Sequence, residues 1–464
     1  MRPSIVLLVS IGLASSHALD AWAQAPAGSD TTRAKPPAAD TAPAPAAAAP
    51  FAFANFGWAQ GVPRETTAVL DSKYFTGEFR LDASYIGDFN RPADHTLVGT
   101  SESGRTGEVQ VQQLGIGGDF HAGNARGRLM TQFGMYSTMT PRNDASPGRG
   151  QWDLSDAYRY ISEAYGGYHW NVWNGINVDA GIFMSYVGLF SYYNYDNWAY
   201  QPSYVSSNTP WFFNGIRIQI FPSDKLKIEP WIINGWQSYG MFNGVPGLGA
   251  QVLWRPTGAV SVLSNNYYGY DWLGIPNRAR VHSDNSLQVK YYDSPRSFPD
   301  KAAFSLTVDA GCENGGGVSC TGTKLGPKQA FLGVMIYNRL WFGQDRYGLT
   351  LGGGAITNPG RYLVLMPPIN GATAFSGTPY FTENAGDQFS AWDASVTLDY
   401  MPDEFVTFRI EFDHRHASVP YFAGPGGVTP PNGNTGAPGS LVPGWTPDLR
   451  NTENRINCAL MVKL

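Results

Sequence analysis

Apolar and polar side chains alternate one by one through segments of about ten residues along most of this chain, and the gaps between segments alternate short with long. In residues 406–415, Val406, Phe408, Ile410 and Phe412 interleave with Thr407, Arg409, Glu411, Asp413 and Arg415. Successive strand side chains point to opposite faces, so this segment has one greasy face and one charged face. A long run of such strands, with no helical stretch to cover the apolar faces, needs lipid. A closed barrel is the strand architecture that leaves no backbone group unpaired in hydrocarbon. The pattern predicts an all-β, transmembrane antiparallel β-barrel of about 16 strands over residues 75–464.

Short connections are predicted at 121–125, 171–175, 222–225, 255–258, 292–301, 343–347 and 401–404, where Pro, Gly, Asn and Asp supply tight turns. Longer ones fall at 88–108, 138–154, 186–209, 238–246, 270–277, 312–327, 357–387 and 418–448. Short periplasmic turns and long external loops are the usual polarity, which puts both ends of the barrel sequence in the periplasm. Phe120, Trp170, Trp173, Phe221, Trp254, Tyr291, Trp341, Tyr347 and Tyr400 flank the short turns, where an interfacial aromatic girdle belongs.

The N-terminus changes the picture at one end. Met1 and Arg2 precede an apolar stretch over 5–14 and then Ala21-Trp22-Ala23, so residues 1–23 read as a secretory signal peptide. Residues 24–50 are dominated by Ala and Pro and read as a disordered periplasmic leader. The more hydrophobic segment 51–74 is fit to cap or plug the barrel.

Of 464 residues, 14% are aromatic, 54 are glycine and only 15% are charged, a profile that suits a large β structure better than a cytosolic enzyme. The net charge of −5 offers no basic stripe, which argues against nucleic acid as a partner. Cys312 and Cys320 bracket a Gly-rich stretch and are expected to form a disulfide in an exported protein. A zinc site is disfavoured because the nearest histidine, His282, belongs to another strand. Cys458 shares an apolar face with Ile456, Leu460 and Val462 and reads as an inert thiol in lipid.

Alternation also assigns the lumen. The expected pore-lining residues are Glu78, Arg80, Asp82, Arg128, Gln132, Arg217, Gln219, Asp393, Asp399, Arg409, Glu411, Asp413, Arg415 and Arg455. Turning one of these arginines to mid-bilayer lipid would cost about 2–4 kcal/mol, which pins the register. Closure sets the last strand beside the first, gathering Arg409, Arg415, Arg455 and Arg80 with Glu78, Asp82, Glu411 and Asp413 on one mixed-charge wall. Such a wall either sets ion selectivity or merely pairs its charges. His414 and His416 fall on the opposite, lipid or rim side with no partnered serine and acid, so an enzyme is not expected. No metal, P-loop or dinucleotide motif appears, and no cofactor is expected.

Four stretches carry a family resemblance: Asn197-Trp198-Ala199-Tyr200-Gln201-Pro202-Ser203-Tyr204 running on to Asn214-Gly215, Leu70-Asp71-Ser72-Lys73-Tyr74-Phe75, Met130-Thr131-Gln132-Phe133-Gly134-Met135-Tyr136, and Lys227-Ile228-Glu229-Pro230-Trp231. The chain resembles the OmpL-like β-barrel porin family of Gram-negative outer membranes over nearly all of its length after residue 51. Many outer-membrane barrels end in Phe, whereas this one ends in Leu464, which still faces lipid in the predicted register. The resemblance implies a pore in the cell outer membrane, in contact with lipid and lipopolysaccharide, inserted by the barrel-assembly machinery, and often a homo-trimer. It also implies that the third long connection folds inward as a constriction loop bearing Tyr192, Tyr193, Tyr195, Asp196, Trp198, Tyr200 and Tyr204. The expected function is passive diffusion of small hydrophilic solutes. The alternative is a plugged structural or adhesive barrel whose external loops bind a partner.

Overall fold

The computed structural model describes residues 49–101, 103–324, 328–360, 362, 369–373 and 388–464. The signal peptide and nearly all of the Ala/Pro leader lie outside the described residues, as does most of the seventh long connection, 357–387.

Sixteen strands close on themselves: β1 (Phe75–Asp88), β2 (Val109–Ala122), β3 (Ala125–Thr131), β4 (Ile161–Trp170), β5 (Ile176–Met184), β6 (Phe212–Ser223), β7 (Leu226–Ile233), β8 (Gly247–Thr257), β9 (Val260–Gly269), β10 (Ala279–Asp293), β11 (Lys301–Asn314), β12 (Ala330–Phe342), β13 (Tyr347–Asn358), β14 (Phe389–Tyr400), β15 (Val406–Ala417) and β18 (Thr452–Lys463). Two short strands, β16 (Phe422–Ala423) and β17 (Leu449–Arg450), pair as a ribbon within the eighth long connection. Neighbours along the chain pair antiparallel, and β18 seals the ring against β1 with Arg80 opposite Lys463 and Asp88 opposite Arg455.

The two-residue period sets the faces. On β15, Phe408, Ile410 and Phe412 are 47%, 57% and 40% exposed on the outside, while Arg409, Glu411 and Asp413 are buried inside. At the short-turn end, Phe120, Trp170, Trp254, Tyr291, Tyr347 and Tyr400 form an exposed outer aromatic ring. Two of the expected girdle residues do not join it. Trp341 follows outward Leu340 and so turns inward, 5.7 Å from the Trp198 ring, and Phe221 packs on Phe51 at 6.3 Å.

Residues 51–66 run across the short-turn mouth. Phe51 N donates to Asp224 O (2.7 Å) in the β6–β7 turn, and Trp58 Nε1 donates to Gly258 O (3.0 Å) in the β8–β9 turn. On the opposite side of the ring, Arg64 reaches Thr407 Oγ1 (2.8 Å) and Val406 O (2.8 Å), and Thr66 bonds Glu404. At the long-loop end the first and eighth connections interlock. Ala93 N donates to Pro425 O (3.1 Å), and Asp94 accepts from Val428 N (2.8 Å) and Thr429 Oγ1 (2.6 Å). Burial opposes the charge on Asp94, yet these donors and the Thr96 amide hold its carboxyl below the ordinary carboxylate value.

Candidate functional site

The third long connection joins β5 to β6 and lies inside the ring, with every residue from 192 to 210 buried. Its sequence explains how a loop can dock in a charged lumen. It is rich in Tyr, Asn, Gln and Ser, which bring a hydrogen-bonding tip on a compact body, and it holds one turn of helix, Tyr204–Ser207, whose preceding Ser203 accepts from Val205 N. Asp196 is its one charged residue between 186 and 209.

Toward β1, Tyr200 Oη donates to Asp82 Oδ1 (2.9 Å), Asn194 Nδ2 donates to Asp82 Oδ2 (3.1 Å), and Arg80 Nη1 reaches Asp196 Oδ2 (3.1 Å). From β15, Glu411 accepts the Tyr200 and Gln201 amides at 2.6 and 2.7 Å, and Arg409 Nη2 donates to Asn197 O at 2.6 Å. On β14, Asp393 Oδ2 accepts from Ser203 Oγ (2.8 Å) and Tyr204 N (2.9 Å). Asp399 sits behind this row and holds both Arg409 (2.6 Å) and Arg339 (2.7 Å). Glycines on the wall make room. A side chain at Gly354 would meet Ser203 Oγ at 2.4 Å, and one at Gly249 would meet Tyr186 Oη at 1.9 Å.

Every expected lining residue faces the interior, but few of them line open space. Arg455 bonds Gln201 and lies 3.7 Å from Asp413, which also accepts from Asn457 Nδ2 (2.6 Å). Arg415 donates to Gly99 O (2.6 Å) and lies over the Tyr204 ring at 4.3 Å. Gln132 accepts from Tyr192 Oη (2.7 Å). Arg217 pairs with Asp179 (2.8 Å) among the rings of Tyr165, Phe183 and Trp231, and Gln219 donates to Glu229 (2.7 Å). Arg128 gathers Glu78 (2.8 Å), Asp119 (2.8 Å) and Glu163 (3.0 Å). The mixed-charge wall from β14 through β15 and β18 to β1 is therefore occupied in pinning the loop and pairing with itself.

Open space lies on the other side. A cavity of about 510 Å³ lies between the loop and parts of the inner walls of β2–β4 and β8–β10, which the loop also touches directly, as at Tyr193 Oη to Glu163 (2.8 Å) and Tyr186 Oη to Asn266 O (2.9 Å), and residues 60–63 of the N-terminal segment run along one edge. Tyr192, Tyr193 and Asp196 of the loop line it, as do Arg80 and Arg128. Tyr195 instead bonds Glu404 O near the short turns, and Trp198, Tyr200 and Tyr204 face the closed wall.

The profile of the family described as "Putative beta-barrel porin-2, OmpL-like" matches residues 75–437. The chain belongs to that family. No curated protein matches it in sequence. Among solved structures, the porin is similar to OmpT of Vibrio cholerae, an outer membrane protein (9% identity, TM-score 0.45, 86% of this chain and 100% of that chain). It is also similar to the outer membrane channel DcaP of Acinetobacter baumannii (13%, 0.44, 86% and 100%) and to the anion-selective porin from Comamonas acidovorans (10%, 0.48, 84% and 99%).

Sequence reasoning missed several residues that shape this porin's interior. Arg255 was expected in a turn because Pro256 and Gly258 follow it. The β8 ladder instead continues irregularly to Thr257 past the proline, which leaves Arg255 on the inner face. Arg339 escaped because the inner face of β12 otherwise reads Phe331, Met335, Tyr337 and Trp341, a pattern easily taken for an apolar face. Gln60 crosslinks elements far apart in sequence, accepting from Trp198 N (2.7 Å) and donating to Asn197 Oδ1 (3.2 Å). Cys312 and Cys320 are disulfide-bonded, and Cys458 is a free thiol on the outer face of β18. His414 and His416 face outward beside Trp392. Among the described residues no His, Cys, Asp and Glu group is arranged to hold a metal ion.

Proposed function

We propose that the protein is an outer-membrane porin that passes small hydrophilic solutes by passive diffusion along the side of the lumen its third loop leaves open. The observation that carries this reading is the polar cavity of about 510 Å³ between loop and wall, inside a ring whose outer face is apolar. Selection is then by size and by the residual field of the wall, with no covalent step. Short turns face the periplasm, so residues 51–74 act as a periplasmic cap over the vestibule. Lipid and lipopolysaccharide surround the barrel, which the barrel-assembly machinery inserts. A three-copy assembly is supported by a row of small outward residues, Gly127 opposite Gly166 opposite Ala180. A side chain at Gly166 would meet nothing nearer than 3.9 Å within the chain, so packing inside the chain does not demand a glycine there.

A specific observation favours a second reading. The inward loop, the segment crossing the short-turn mouth and the interlocked first and eighth connections together fill much of the barrel, as a plugged surface-binding barrel would require. Liposome swelling separates the two. Vesicles bearing folded protein should swell in neutral sugars at rates that fall with sugar size. Unchanged rates, with folding verified by heat-modifiable migration, would favour the plugged barrel.

A further inference from the structure

Six ionisable side chains line the cavity: Arg80, Asp119, Arg128, Glu163, Asp196 and Arg255. Five are already neutralised. Arg80 pairs with Glu78 and Asp196, and Arg128 pairs with Asp119 and Glu163. Arg255 alone has no carboxylate within 4.0 Å among the described residues. Its guanidinium lies 4.2 Å from the Phe56 ring and 5.1 Å from the Phe51 ring, both on the N-terminal segment. Its Nε donates to Ser261 Oγ at 3.4 Å, and its two Nη groups make no hydrogen bond among the described residues.

The neighbours of Arg255 extend the same chemistry. Ser261 on β9 stands opposite Gln288 on β10, so a guanidinium, a hydroxyl and an amide lie in one row across three adjacent strands. Gln288 Oε1 accepts the Gln60 amide at 2.7 Å, which leaves its Nε2 without a hydrogen bond among the described residues. These N–H donors open onto the cavity beside aromatic rings, and an oxyanion can satisfy them together.

We propose that the row Arg255, Ser261 and Gln288 is an anion-recognition site in the vestibule that takes the carboxylate of a small organic acid. A planar carboxylate fits the guanidinium fork with two parallel bonds. The organic body meets Tyr186, Phe190 and Trp211 across the cavity, whose volume falls in the roughly 300–1,000 Å³ range of small-molecule sites. This assignment rests on the pore reading only in that solutes must reach the vestibule.

The test is calorimetric titration of the folded full chain in detergent with benzoate, its neutral isostere benzamide, and inorganic phosphate. Benzoate should bind saturably, benzamide should not, and phosphate should bind more weakly than benzoate. Arg255→Gln should weaken benzoate at least about tenfold, and Arg255→Lys, which keeps the charge and loses the fork, should fall between. Heat-modifiable migration establishes that each variant is folded. Equal affinity in Arg255→Gln, equal binding of benzamide, phosphate binding as tight as benzoate, or no benzoate binding to the unaltered protein would each overturn the proposal. Because binding needs no conduction, a silent bilayer with intact benzoate binding would defeat the pore reading alone, and a conducting pore with no benzoate binding would defeat this site alone.

Discussion

The two sides of the lumen use the same inward polar pattern in opposite ways. On the side formed by β12–β15, β18 and β1, Asp82, Asp393, Arg409 and Glu411 spend their hydrogen-bonding capacity on the third loop, whose backbone and side chains take the place of water. On the side formed by β2–β4 and β8–β10 the loop touches the wall only in places, as where Tyr193 Oη donates to Glu163 (2.8 Å) and Tyr186 Oη to Asn266 O (2.9 Å), and Arg128, Glu163 and Arg255 border open space. Polarity of an inner face therefore says that a residue is inside, but not whether it meets solute or scaffold. That difference depends on where a loop docks, and the docking joins residues more than 200 positions apart, as between Tyr200 and Glu411.

The sharpest way to break the contrast is to strip the closed side. Arg409→Ala removes one partner from a buried pair with Asp399 and frees the Asn197 carbonyl, and should cost about 3–5 kcal/mol. It should lower the urea midpoint and expose the third loop to protease while the barrel persists. A loop that stays protected would mean the closed side is held by packing alone. Glu411→Gln is gentler, because the amide still accepts a hydrogen bond but loses its charge. It should cost about 1.5–3 kcal/mol by the same urea assay, and no change would show that the Tyr200 and Gln201 amides have other partners.

The smallest effect is expected at the long-loop end, away from both sides. Asp94 is held below its ordinary value, so its contribution is fully present above the unfolded carboxylate pKa of about 3.9 and fades as pH falls through the lower folded value. Amide exchange around Val428 should therefore quicken only in strongly acid buffer, and Asp94→Asn should quicken it at every pH. Protection unaltered in Asp94→Asn would show that the carboxylate does not clasp the two connections.

The fold was legible because the membrane leaves little choice. Strands of period two with apolar outer faces close into a ring, and the Pro, Gly, Asn and Asp of the short connections mark its turns. Inside and outside were readable residue by residue, as at 406–415. The inward position of the third loop came from family resemblance, and no local pattern at 186–209 dictates it. Its partners on the wall leave only faint traces, such as Gly249 and Gly354, glycines on inner faces that admit another chain segment. Arg255 was hidden by a proline that marks a turn in most contexts and an irregular ladder here. The cap over the short-turn mouth was suggested by the composition of 51–74, but Gln60 and Trp58 as its inner contacts could not be told from neighbouring residues.

On the function proposed above, solutes cross the open side while the docked loop narrows the ring. Single-channel recording in a planar bilayer, with the full chain and with residues 192–206 deleted, tests it most directly. Small stable steps that grow severalfold on deletion are expected. A folded protein that is silent before deletion, or steps of unchanged size after it, would contradict it.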